Sequence, residues 1–154
     1  MKLSENFSLS EFTSSQAAAR RGIDNTPSKE QIERLRALCI NILEPVRKHF
    51  SRPVVISSGF RSQKVNAAIG GSSTSQHTRG EAVDFEIPGV PNAEVAEFIV
   101  KHLDFDQVIL EFYTPGVPDS GWVHCSYKPS GNRKSVLTAV KSSGKTKYLA
   151  GIKY

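Results

Sequence analysis

The sequence predicts an α+β domain with a mainly antiparallel sheet and helices packed on one side of it. Three observations favour this class. A long apolar stripe at helical spacing lies in the first third of the 154 residues, short alternating segments follow it, and Pro/Gly loops of hairpin length join later segments. Because no repeat and no linker divides the chain, we expect one domain over residues 1–154, in which residues 1–27 form an N-terminal arm.

The helices are predicted from apolar spacing and from capping residues. Apolar residues recur at three- and four-residue steps from Ile32 to Val46, which indicates a helix of about twenty residues with one buried stripe. Ser28 or Thr26 can cap its start, and Pro45 should bend or end it locally. Three shorter helices are predicted in the same way: after Ser8 or Ser10, from Gln63 to about Ile69 behind Ser62, and from the capping residue Asn92 to Leu103.

Strands are predicted where apolar residues alternate or run together between turn residues. Residues 53–58 begin with an apolar run, Pro53 to Ile56, which is typical of a buried strand. The other predicted strands are 81–87, 107–112, 121–127, 135–140 and 147–152. The loop at 114–120 is short and rich in proline and glycine, so the two strands that it joins should form a hairpin.

Two of these strands carry polar residues that can meet. Side chains alternate across a strand, so Asp84 and His124 each lie on the face opposite the apolar, core-facing residues of their own strand. If the two strands are neighbours, both side chains point into one cleft. Cys125 points the other way, and we expect it and Cys39 to be buried free thiols.

A third polar residue, His77, precedes the first of these strands. Gly80 allows a tight turn that can bring its imidazole to the same place. Two histidines and one carboxylate are the protein ligands of a catalytic zinc site, in which the fourth position stays open to water. If His77, Asp84 and His124 converge, the protein holds one Zn²⁺ ion and is a zinc hydrolase.

Three ordered motifs between residues 56 and 127 resemble the M15 class of zinc D-alanyl-D-alanine carboxypeptidases and L-alanyl-D-glutamate peptidases. They are Ser58-Gly59-Phe60-Arg61-Ser62, the segment from Ser75-Gln76-His77 to Asp84, and Trp122-Val123-His124. The opening segment, with Phe7 to Phe12 and Arg20 to Asn25, is similar to small phage and prophage-borne members. The strand of His124 is also similar to the zinc strand of the hedgehog signalling domain, which shares this fold. The resemblance implies a metal-site core at 56–127, with zinc held by His77, Asp84 and His124.

The resemblance also implies a role for Arg61. In these peptidases an arginine in this motif faces the substrate, where a planar guanidinium can bind a carboxylate or stabilise an oxyanion. Ser75 and Gln76 would line the same cleft and contact the substrate, although a polar loop would carry such residues in any case.

The general base does not occupy its usual position. Many members carry Glu-x-x-His, but the residue three places before His124 is Gly121. Alternation places Glu111 at the end of the preceding strand, on one face with Gln107, and the hedgehog-like pattern has its glutamate there too. We therefore expect Glu111 to be the catalytic base, with Asp119 in the following loop as the alternative.

These features predict a peptidase that cuts a peptide bond in the peptidoglycan stem, as a carboxypeptidase or as an endopeptidase. The net charge of +5 favours attraction to an anionic cell wall. We expect no nucleic-acid partner, because neither an aromatic-rich RNA-binding motif nor a helix-turn-helix is present. There is no apolar run of about 18 residues for a membrane span, and the N-terminus lacks the apolar region of a secretory signal. We expect a monomer that is made in the cytoplasm and reaches the wall through lysis or as a virion component, as a phage endolysin does.

Two other classes stay open on the sequence alone. One is a non-catalytic zinc-containing module that binds cell wall or a protein. The absence of the Glu-x-x-His motif favours this class. The other is a basic domain that binds nucleic acid.

Overall fold

A six-stranded sheet forms the centre of the computed structural model, which describes residues 1–154. Its strands are β3 (Val55–Ser58), β4 (Ala82–Glu86), β5 (Gln107–Glu111), β6 (Trp122–Ser126), β7 (Ser135–Ser142) and β8 (Lys145–Ala150). They lie in the order β3-β4-β6-β5-β7-β8, and every neighbouring pair is antiparallel except β5 and β7. β1 (Lys2–Ser4) and β2 (Phe7–Ser8) form a separate two-stranded sheet.

Six α-helices accompany the sheet. They are α1 (Leu9–Thr13), α2 (Gln16–Arg21), α3 (Lys29–Leu38), α4 (Glu44–Phe50), α5 (Gln63–Ala68) and α6 (Asn92–His102). A 3₁₀ turn at Gln76–Arg79 precedes β4. The prediction of an α+β domain with a mainly antiparallel sheet is confirmed. None of the helices has the length and apolar character that crossing a membrane requires.

The long helix predicted from the apolar stripe is present, but it is not regular. Ser28 caps α3, since its hydroxyl accepts a hydrogen bond from the Gln31 amide at 3.2 Å. A π-helical turn at Cys39–Leu43 then joins α3 to α4, and the Glu44 amide donates to the carbonyl of Cys39, five residues back. Pro45 follows directly. Proline has no amide hydrogen, and its ring crowds the preceding turn. The helix therefore widens into a π-helical turn there instead of ending.

The core lies between the helices and one face of the sheet. The sheet contributes Val83, Phe85, Val108, Leu110, Val123 and Cys125, all fully buried. Phe7 and Phe12 of the N-terminal segment belong to the same core, with ring centroids 6.3 Å apart. Cys39 and Cys125 are buried free thiols, as predicted. The opposite face of β4, β5 and β6 carries polar residues and lines a cleft.

Two predictions about individual elements were wrong. The strand predicted as buried at 53–58 is the edge strand β3, where Val55 is half-exposed, because an apolar run does not reveal whether a strand has one neighbour or two. Asn92 does not cap α6, for it is the first helical residue and Pro91 precedes it. Its buried side-chain amide instead donates to Glu86 and to the carbonyl of Ser120, which ties the helix to the β5–β6 loop.

That loop turns back tightly against the end of β5. Gly116 and Gly121 both have positive φ, at 85° and 65°. A Cβ on Gly116 would meet open space, whereas a Cβ on Gly121 would collide with the backbone carbonyl of Glu111. The hairpin predicted between these strands is confirmed, with Glu111 paired to Trp122.

A fully buried carboxylate, that of Asp106, anchors the start of β5. It accepts hydrogen bonds from the backbone amide of Arg133 at 3.0 Å, from the guanidinium of Arg133 at 2.7 Å and from the amide of Gln76 at 3.1 Å. Burial disfavours the charged form, but the bonds from Arg133 outweigh it and lower the pKa of Asp106 to about 2. One ionised group thus ties together the 3₁₀ turn, β5 and the segment before β7.

Gly121→Ala should destabilise the protein more than Gly116→Ala does. Both changes place a side chain at positive φ, which costs about 1–2 kcal/mol. Only the first adds a collision with rigid backbone, which costs about 1–3 kcal/mol more. The free energies of unfolding from urea titrations would measure the difference. Equal losses of unfolding free energy in the two variants would show that the backbone around Glu111 can shift without cost.

Asp106→Asn should lower the free energy of unfolding by about 1.5–3 kcal/mol at pH 7, because a charged acceptor is lost. The native pKa of Asp106 is depressed from 3.8 to about 2, so its contribution is complete above pH 3.8 and disappears as the pH falls through about 2. The difference in the free energy of unfolding between wild type and variant should therefore become smaller below about pH 4. Denaturation at several pH values would measure it, with the exposed Asp104 changed to Asn as a control. A difference in unfolding free energy that does not change with pH would contradict the ionised state of Asp106.

Candidate metal centre and active site

His77 is held by the 3₁₀ turn between α5 and β4. The Ser75 hydroxyl accepts from the His77 amide at 3.3 Å, and Gly80, with φ at 75°, ends the turn. The ring nitrogen Nδ1 lies 2.7 Å from the carbonyl oxygen of Gly59. Because a carbonyl only accepts, Nδ1 carries a proton, and Nε2 faces the Asp84 carboxylate at 3.5 Å.

Asp84 and His124 meet across two neighbouring strands. They are direct partners in the antiparallel pair of β4 and β6, and His124 Nδ1 lies 2.9 Å from Asp84 Oδ1. One donor atom from each of His77, Asp84 and His124 lies within 4.8 Å of the others. The structure therefore brings together the three residues that the sequence suggested as ligands.

The spacing of these donors suits a small tetrahedral ion. Ligands 2.0–2.1 Å from zinc lie roughly 3.3 Å apart at the corners of a tetrahedron. His124 Nδ1 lies 2.9 Å from Asp84 Oδ1 and His77 Nε2 lies 3.5 Å from Asp84 Oδ2, and one donor from each residue lies within 4.8 Å of the others. Two neutral imidazoles and one carboxylate are also a donor set that zinc prefers. His77, Asp84 and His124 could therefore hold one metal ion.

The carboxylate of this trio is ionised despite its burial. Burial raises the pKa of Asp84, but the hydrogen bonds from His124 and His77 outweigh it, and the net effect lowers that pKa below its usual range. Asp84 thus brings a negative charge to a poorly hydrated place. A cation bound there would balance it.

The trio lies in a cleft of about 570 Å³ on the polar face of the sheet. Every other residue predicted for the site also lines this cleft: Arg61, Ser75, Gln76 and Glu111. Asp119, the alternative base, lies instead beside Pro88 and Val90 at a separate surface pocket. Of the two candidate bases, Glu111 is therefore the one that lies in the same cleft as the trio.

Glu111 is held in place at the end of β5. The indole nitrogen of its strand partner Trp122 donates to Glu111 Oε2 at 2.7 Å, which leaves Oε1 for other contacts. Burial, and next the charge of Asp84, raise the pKa of Glu111 above that of an ordinary glutamate. A carboxylate with raised proton affinity is suited to taking up and returning a proton. The Glu-x-x-His position is closed here, because any side chain on Gly121 would strike the carbonyl of Glu111.

Arg61 faces the cleft from the other side. Its Nε is buried without a hydrogen-bond partner, and burial lowers the pKa of its guanidinium while the charges of Asp84 and Glu111 oppose that effect. The loop around it is held by Asn25, whose side chain accepts from the Ser62 amide at 2.7 Å and donates to the Phe60 carbonyl at 3.1 Å. A buried, unpaired guanidinium nitrogen is ready to bind an anion.

Ser75 and Gln76 line the cleft and also make hydrogen bonds within the protein. Ser75 caps the His77 turn, and the Gln76 amide nitrogen donates to Asp106 at 3.1 Å and to Glu81 at 3.4 Å. Both residues therefore position the turn, whatever else they contact.

Three positioning residues were missed by the sequence analysis: Asn25, Asp106 and Trp122. Trp122 could have been found, since pairing the ends of the two predicted strands places it opposite Glu111. Asn25 and Asp106 act on segments more than 25 residues away and leave no local pattern.

Comparison with known proteins supports the chemistry that the geometry suggests. The family model described as Peptidase M15 matches residues 5–126, which include every residue of the trio as well as Arg61 and Glu111. β7 and β8 lie outside the match. No curated protein matches the chain in sequence. The match spans most of the protein, and the chain therefore belongs to the peptidase M15 family.

Proposed function

We propose that the protein is a zinc peptidase that hydrolyses a peptide bond in the peptidoglycan stem, as a D-Ala-D-Ala carboxypeptidase or an L-Ala-D-Glu endopeptidase. One observation carries the proposal: the donors of His77, Asp84 and His124 converge within 4.8 Å in a cleft that Glu111 and Arg61 also line. Membership of a peptidase family supports the reaction class.

His77, Asp84 and His124 would hold the zinc ion, His77 through Nε2 because its Nδ1 is bonded to Gly59. A bound zinc ion would supply Lewis acidity toward the scissile carbonyl and lower the pKa of water in the site to about 7. The hydrogen bond to Gly59 keeps the His77 ring oriented, with Nε2 toward the site.

Glu111 would serve as general base and then as general acid. Its Oε1, the oxygen not bonded to Trp122, takes a proton from the attacking water and returns it to the departing amine. Trp122 fixes the carboxylate so that this oxygen faces the cleft. The raised pKa of Glu111 favours uptake of the proton from water.

Arg61 would bind the substrate through its guanidinium. It can pair with a terminal carboxylate, as a carboxypeptidase requires, or with the negative charge that develops on the carbonyl oxygen. Since it is largely withdrawn from water, either interaction is stronger than it would be at an exposed site.

We also propose a phage or prophage setting, in which a monomeric enzyme reaches the wall through lysis or as part of the virion. The opening segment resembles phage-borne members, and the net charge of +5 would favour attraction to an anionic wall.

A non-catalytic zinc module that binds cell wall or a protein is the second candidate. The observation in its favour is Gly121 at the place where many members carry the glutamate of Glu-x-x-His. It differs from the first proposal in predicting binding to peptidoglycan without hydrolysis.

Digestion of purified peptidoglycan would separate the two candidates. We expect the zinc-loaded protein to release muropeptides shortened at one defined bond, and a chelator to abolish the release because the ligands alone cannot activate water. Mass spectrometry of the products would identify the bond. Binding to the wall with unaltered muropeptides would favour the non-catalytic module.

Glu111→Gln should retain zinc and lose about 10²–10⁴-fold in kcat, because the amide cannot accept the proton. His77→Ala should lose both zinc and activity, since one of three protein ligands is gone. Metal content by elemental analysis and kcat on muropeptides would distinguish these effects. Asp119→Asn, which lies outside the cleft, is the control and should match the wild type. Full activity of the Glu111→Gln variant would remove Glu111 from the mechanism.

A further inference from the structure

We propose that the cleft contains a second anion-binding subsite, formed by Lys128, Arg133 and Arg79, which binds a carboxylate of the substrate about two residues away from the scissile bond. The inference rests on the proposed peptidase function and adds a requirement on the substrate. The peptide must carry an acidic group at this distance, in addition to any carboxylate that Arg61 binds.

The cleft is longer than the metal centre needs. Gln107, Ile109 and Glu111 of β5 all line it, and the four steps from residue 107 to residue 111 span about 13 Å. Ile109 is the strand partner of His124, so the metal centre lies at the middle of this length. Glu111 and Trp122 form one end. The opposite end, near Gln107, lies about 7 Å from the level of His124, which is two residues of an extended peptide.

The cations at this end are held in position rather than free on the surface. The buried Asp106 binds the backbone amide, Nε and Nη2 of Arg133, so the guanidinium is fixed while its Nη1 is left without a protein partner. The side chain is still 54% exposed. Lys128 Nζ is 3.9 Å from Asp106, too far for a hydrogen bond, and it keeps its donors for a ligand. Arg79 is bonded through Nε to Glu81 at 3.1 Å.

The balance of charge at this end favours an anion. Three cations face two carboxylates, those of Asp106 and Glu81, and both carboxylates are buried and already hydrogen-bonded. The excess positive charge therefore lies on the side chains that border the cleft. A substrate carboxylate can accept hydrogen bonds from Arg133 Nη1 and Lys128 Nζ together, which is the geometry of strong charge-assisted pairs.

Two of the three cations come from a part of the chain with a single sign of charge. Residues 120–154 contain seven lysines and arginines and no acidic residue. Lys128 and Arg133 belong to this segment, and both follow the end of the family match at residue 126. Two of the three cations of the subsite therefore lie in the segment that follows the matched region, and Arg79 lies within it.

The test measures binding separately from catalysis. The protein is the zinc-loaded Glu111→Gln variant. The probes are a synthetic stem-peptide fragment that ends in D-Ala-D-Ala and carries a free D-glutamate carboxylate, and the same fragment with a carboxamide there. Calorimetric titration should show about tenfold or tighter binding of the acid form, as expected for charge-assisted hydrogen bonds. Adding Lys128→Gln should reduce this preference to about threefold or less, and adding Arg133→Lys should reduce it while preserving the charge that Asp106 needs.

Lys147→Gln is the matched control, because it removes one charge from the same segment at a residue that does not line the cleft. It should keep the full preference for the acid form. If the acid fragment does not bind, or if its preference survives both Lys128→Gln and Arg133→Lys, the subsite is rejected. Cleavage of the fragments by the wild type is followed in parallel. Cleavage without any dependence on Lys128 rejects the subsite alone, whereas Lys128-dependent binding without cleavage rejects the peptidase function and retains the subsite.

Discussion

The antiparallel register between β4 and β6 is the constraint on which the rest of the site depends. It places Asp84 directly opposite His124, and a shift by one residue would turn one of them into the core. The register is secured from the other face, where Val83 and Cys125 are partners and both are fully buried. The energy of the hydrophobic core therefore determines the geometry of a polar site on the opposite side of the same sheet.

The N-terminal segment and the site are linked by a short series of contacts. The Phe60 amide donates to the Phe12 carbonyl at 2.7 Å, and a side chain on Gly59 would collide with Phe12. Gly59 in turn accepts the hydrogen bond that orients His77. Packing of Phe12 in the core thus sets the position of a carbonyl that orients an imidazole. The segment is part of what supports the candidate metal centre.

Charge in the cleft is arranged so that each buried carboxylate has compensating partners. Asp84 has two histidines, and Asp106 has Arg133. Glu111 is the exception, since its main partner is the neutral indole of Trp122, and its pKa is raised. Of these three acids, the one whose hydrogen-bond partner is neither a histidine nor an arginine is thus the one whose proton affinity suits proton transfer, which connects the electrostatics of the fold with the proposed chemistry.

The sequence by itself determined the features that depend on local periodicity: the apolar stripe of α3 and α4, and the alternation along β4, β5 and β6. Those features follow from the pitch of a helix and the two-residue repeat of a strand. The resemblance of its motifs to the M15 peptidases, together with that alternation, suggested His77, Asp84, His124 and Glu111 as site residues. Only the tertiary structure decided that β3 is an edge strand, that Asn92 ties a loop instead of capping a helix, and that Asp106 and Arg133 build one end of the cleft. These depend on which distant segments become neighbours, and the free energy of such contacts leaves no periodic pattern along the chain.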